Sequence, residues 1–101
     1  MSEPNKPHPP HLHVTVDEEV TRGKYVNMAR IFHQHGEFVV DAIFLPPATH
    51  HAQVVSRLIM SPAHAKHLLR ALAQNVARYE QVFGEIRLAG PGGEAVDPIL
   101  S

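Results

Sequence analysis

Apolar and polar residues alternate with period two at the start of the folded body. In "HLHVTV" (11–16), Leu12, Val14 and Val16 fall on one side and His11, His13 and Thr15 on the other, which predicts a half-buried strand. "DEEVTRG" (17–23) breaks that pattern and ends at Gly23. "KYVNMARIFHQ" (24–34) and "EFVVDAIFL" (37–45) are rich in β-branched and aromatic residues and read as the second and third strands. His35-Gly36 between them is a hairpin turn, with Gly36 supplying a positive φ. Pro46-Pro47 stops the third strand, and after "PPATHH" the run "AQVVSRLIM" (52–60) is the fourth.

From Ser61 the period changes to that of a helix. Ser61 is a good N-cap, Pro62 stands at the first helical position where its missing N–H costs nothing, and Gly84 closes the element. Ala65, Leu69, Leu72, Val76, Tyr79 and Phe83 form one stripe, flanked by Leu68. The stripe is expected to pack on the sheet rather than to serve as a coiled-coil seam. Lys66, Arg70, Gln74 and Arg78 run down another side, a candidate surface for anions or nucleic acid. The expected fold is therefore α+β: a four-stranded antiparallel, meander-like sheet followed by one long C-terminal helix, ββββα.

A two-residue turn at His35-Gly36 also sets a register, in which opposed residue numbers sum to 71. Arg30 then faces Asp41, Ile31 faces Val40 and Phe32 faces Val39, and Arg30–Asp41 reads as a structural ion pair that fixes the pairing. One sheet face carries Tyr25, Asn27, Ala29, Ile31, Phe38, Val40, Ala42 and Phe44. The other carries Val26, Met28, Phe32, Val39, Ile43 and Leu45 around that pair. Both faces are apolar, and one helix covers one face. The face of Val26, Met28, Phe32, Val39, Ile43 and Leu45 is therefore expected to bury itself against another copy, giving a homo-oligomer with a dimer favoured; another protein is a further candidate partner.

Composition narrows the classes. A chain of 101 residues is one small domain. Residues 1–10, with four of the nine prolines, are expected to be a disordered arm, 11–88 the domain and 89–101 a flexible tail. The lack of cysteine excludes disulfides, thiolate catalysis and Cys-ligated zinc. No apolar run reaches the length of a membrane span, and "MSEPNKPHPPHL" is not a signal peptide; a cytoplasmic protein without membrane contact is expected. Formal charge is −1, yet between residues 24 and 78 six basic residues face only Glu37 and Asp41, a local excess of four. Nine histidines are the oddest feature: His11/His13, His33/His35 and His64/His67 have spacings compatible with a divalent metal. No HExxH and no committed carboxylate set accompanies them, so they read as surface or hydrogen-bonded residues, and neither a metal nor another cofactor is expected. "GPGG" lacks the Lys-Ser/Thr of a phosphate-binding loop, and no GxSxG elbow occurs. A non-enzymatic protein is expected.

"YVNMARI" (25–31), "GEFVVDAIFLP" (36–46), "VVSRLIMSPAHAKHLLRAL" (54–72) and "NVARYEQVFGEI" (75–86) resemble the small bacterial and archaeal proteins grouped as domain of unknown function 3467. That family implies no activity and no catalytic or binding residue. Its members usually carry Gly and Lys in the loop after the third strand, where this chain has "PPATHHAQ". The expected topology is also similar to half of a SecB-type export chaperone and to the single-strand binders of the Whirly and Pur type. Three functions follow as expectations: a homo-oligomeric interaction module, single-stranded nucleic-acid binding through Lys66, Arg70 and Arg78, and a holdase-like chaperone.

Overall fold

The structure, a computed structural model, describes residues 11–88 and 99–100. Its elements are α1 (Glu18–Arg22), β1 (Met28–Gln34), β2 (Glu37–Phe44), β3 (Gln53–Met60), α2 (Pro62–Phe83) and β4 (Ile99–Leu100). The sheet has the order β3-β2-β1-β4.

The three-strand centre of the sheet lies where the apolar pattern put it. β1 pairs with β2 antiparallel, with Arg30 opposite Asp41, Ile31 opposite Val40 and Phe32 opposite Val39, the register that a turn at His35-Gly36 dictates. Gly36 has φ 91° while His35 keeps a negative φ, so the turn uses one glycine-type position rather than two. Asn27 lengthens the ladder by one step: its side-chain amide donates to the Leu45 carbonyl and accepts from the Leu45 N–H, both at 2.9 Å. β2 pairs with β3 antiparallel, with a shift between Ala42 and Ile43 that leaves Val55 as the extra residue of a bulge.

Two parts of the expected topology are corrected. His11–Val16 has no regular secondary structure, and Leu12, Val14 and Val16 are 80, 82 and 58% exposed. Alternation makes a segment fit for a strand, but a strand exists only where an edge receives it. Beside β1 that place belongs to β4, which runs parallel to it with Ile99 opposite Ala29 and Leu100 opposite Arg30. The sheet is thus four-stranded but mixed, and its fourth strand comes from the tail. "DEEVTRG" folds as the single turn α1, in which the Thr21 N–H and hydroxyl both donate to the Asp17 carbonyl and Gly23 closes at φ 74°. The arm 1–10 and tail residues 89–98 and 101 lie outside the described residues.

α2 has the ends its residues specify. The Ser61 hydroxyl accepts from the His64 N–H at 3.1 Å, Pro62 begins the helix, and the N–H of Gly84 (φ 99°) donates to the Glu80 carbonyl. The expectation that its stripe packs on the sheet is corrected as well. None of its residues is buried, and it meets the sheet chiefly at β2. A stripe states that an apolar side needs cover and is silent on whose surface supplies it.

Candidate functional site

Three strands bring three charged side chains together. Asp41 sits on the central strand β2, with Arg30 opposite it on β1 and Arg57 opposite it on β3. Arg57 donates from Nε to Oδ1 at 2.7 Å and from Nη2 to Oδ2 at 2.9 Å. Arg30 donates to Oδ2 from Nη2 at 2.7 Å and from Nε at 3.1 Å. The carboxylate is fully buried beneath guanidinium groups that stay about half exposed. Both guanidinium carbons also lie 5.9 Å from the centroid of the Phe32 ring, within cation–π range.

This geometry decides what Asp41 can do. The Arg57 hydrogen bonds, then those of Arg30, hold its carboxyl well below the usual carboxylate range against the opposing effect of burial. Asp41 in turn raises Arg57 above the usual arginine value. A carboxylate with both oxygens engaged and its proton so readily lost is a poor base and a poor nucleophile. The cluster is a brace across β1, β2 and β3. Arg30 and Asp41 meet as their register requires, whereas Arg57 was not legible: the long link 45–52 and the bulge at Val55 hide the β2–β3 register.

The other singled-out residues divide by burial. Met28, Val39 and Ile43 are buried within the chain, at 8, 5 and 4% exposure. Leu45 is half-buried, and Val26 and Phe32 remain partly exposed. The larger free apolar surface is elsewhere, along α2. Leu69, Leu72, Val76, Tyr79 and Phe83 are between 39 and 72% exposed, with the Tyr79 and Phe83 rings 4.8 Å apart. Asn75, Val76, Tyr79 and Ile86 line a shallow depression beside that stripe. The chain after the helix is held there by the Ile86 N–H, which donates to the Glu80 carboxylate at 2.9 Å.

Lys66, Arg70 and Arg78 are exposed on α2. At 100° per residue Arg70 and Arg78 fall on the side away from the stripe, and Lys66 lies on its flank, about 60° from Leu69. The histidines do not converge: among the described residues no group of three or more His, Cys, Asp or Glu side chains is placed to hold a metal ion. Among the same residues no helix is long and apolar enough to cross a membrane.

No curated protein and no solved structure matches this chain. The profile of one family, described as "Protein of unknown function (DUF3467)", matches residues 1–88. That span takes in α1, the three-strand hairpin sheet with its Arg–Asp–Arg brace, and the whole of α2, and the chain belongs to this family.

Proposed function

We propose that this chain is a non-enzymatic assembly module that works as a homo-oligomer, a dimer in its simplest form, with the apolar stripe of α2 as its principal contact surface. The observation that carries this reading is the exposure of the stripe. Five large apolar side chains at helical spacing, each at least 39% exposed, run along an element about 33 Å long. Contiguous apolar surface of that kind marks an interaction site. Among the described residues only Met28, Val39 and Ile43 are buried apolar side chains, a small interior for a domain that must bury more than half of its unfolded surface. A partner that completes such a core must be at hand wherever the chain is, and a second copy always is. Two copies of one stripe are self-complementary about a twofold axis.

Nucleic-acid binding has less support. Single-strand binders place aromatic rings inside a basic groove. Here Tyr79 and Phe83 lie on the apolar stripe, while Arg70 and Arg78 lie on the other side of α2 and Lys66 on its flank.

Light scattering tests the reading. The chain is expected to be a dimer or larger at micromolar concentration, and Leu72→Glu, on the stripe, is expected to give a monomer. Arg70→Glu, on the basic side, is expected to leave the assembly unchanged. A wild-type monomer overturns the proposal. A wild-type dimer that is retained in Leu72→Glu removes α2 from it.

A further inference from the structure

The molecule contains an orphan strand and an orphan strand edge. His11–Val16 alternates as a strand does and exposes Leu12, Val14 and Val16, yet it pairs with nothing among the described residues. The position next to β1, which a simple meander would give it, carries β4 at Ala29 and Arg30. At the opposite side of the sheet, β3 stands last in the order, so one whole row of its backbone N–H and C=O groups has no strand partner among the described elements.

That edge has one of the devices by which edges avoid pairing, the bulge at Val55, but beyond it Ser56–Met60 pairs regularly with β2. β3 is eight residues long and contains neither Pro nor Lys. Its single charge, Arg57, is turned onto Asp41. Val54, Leu58 and Ile59 on it are 40, 50 and 61% exposed. His11–Val16 contains no Asp, Glu, Lys or Arg, so no like fixed charge faces Arg57 when the two segments meet. At about 3.3 Å per residue it spans roughly 20 Å, enough to cover most of β3.

We infer that His11–Val16 of one chain adds as a strand to the β3 edge of a second copy. When the exchange is reciprocal about a twofold axis, each chain donates one strand to the other and receives one, and the assembly closes at two copies. The affinity comes from main-chain hydrogen bonds, as in strand addition generally, and Leu12, Val14 and Val16 continue an apolar face of the sheet. The inference rests on the self-assembly reading and adds a second contact, one that forms only between copies already joined through α2.

The absence of cysteine from the chain makes a clean test. Thr15→Cys and Ser56→Cys, both at exposed positions of the full chain, are prepared separately, co-refolded in equal amounts and treated with a short bis-maleimide. A covalent species of twice the chain mass, formed in the mixture and by neither variant alone, is the expected result. Doubled mass from Ser56→Cys alone shows β3 pairing with β3 and overturns the inference. Light scattering on the same samples separates the two ideas. A dimer without the mixed cross-link overturns strand exchange only, whereas a monomer overturns the self-assembly reading as well.

Discussion

At the scale of residues, the chain concentrates its electrostatics on one carboxylate. Asp41 is fully buried with both oxygens accepting from Arg30 and Arg57, and its carboxyl is held below the ordinary range. The sign of the linkage follows. A group with a depressed folded value contributes stability that is present above its unfolded value and is lost as pH falls through the folded one. Denaturant midpoints are therefore expected to be flat near neutrality and to drop below about pH 4, the unfolded range of Asp. Asp41→Asn is expected to be less stable at pH 7 and to lose much of that acid dependence, since the amide leaves two guanidinium groups facing each other without a counter-charge. An unfolding series whose wild-type and Asp41→Asn slopes between pH 2 and 4 are equal would refute the brace. Arg30–Asp41 was legible because a two-residue turn ties strand positions together rigidly. Arg57 was not, because nothing local relates Asp41 to a strand beyond an eight-residue link.

Elements tell a similar story with a different boundary. α2 was readable to within a residue at both ends, since Ser61, Pro62 and Gly84 act on backbone groups within one turn of themselves. Ser61→Ala removes the bond from the His64 N–H and is expected to cost about 1 kcal/mol, measured by urea unfolding. Ser61→Asp, which keeps an acceptor and adds charge at the positive end of the helix dipole, should restore it. The three strands between Met28 and Met60 were also legible, because β-branched and aromatic runs bounded by Gly36 and Pro46-Pro47 admit few alternatives, although β1 begins at Met28 where the pattern suggested residue 24. His11–Val16 misled because alternation is a property of the segment, while strand formation is a property of the segment and its receiving edge. Ile99 and Leu100 read as apolar tail residues able to dock, but not as a strand, for the complementary reason: two residues carry no periodicity, and their place beside Ala29 and Arg30 is set by contact alone.

For the whole molecule, the balance of buried and exposed apolar residues dominates. Twenty-one large apolar side chains of the described residues are exposed against three that are buried, the surface that the proposed assembly would cover. If folding and assembly are coupled, the thermal midpoint depends on concentration, because mass action favours the assembled state. Raising the protein from about 1 to 100 μM should raise the midpoint by several degrees for the wild type and leave Leu72→Glu unmoved. A wild-type midpoint independent of concentration would mean that one chain is stable alone. Which surface is free was the least legible property. Both sheet faces and the helix stripe are apolar in the sequence, and only their placement shows Met28, Val39 and Ile43 inside and Leu69, Leu72 and Phe83 outside.

The sequence by itself determined what is governed within a turn or a hairpin: the extent and caps of α2, the His35-Gly36 turn, the β1–β2 register with its Arg30–Asp41 pair, and family membership across residues 1–88. Those features depend on interactions between residues close along the chain, whose spacing is written in the order of the residues. The tertiary structure alone decided that Arg57 completes the brace, that β4 takes the edge beside β1, and that α2 meets the sheet at β2 while its stripe stays exposed. Each of these is a choice among apolar or charged surfaces that are chemically equivalent in sequence. Only the path of the chain in space selects between them.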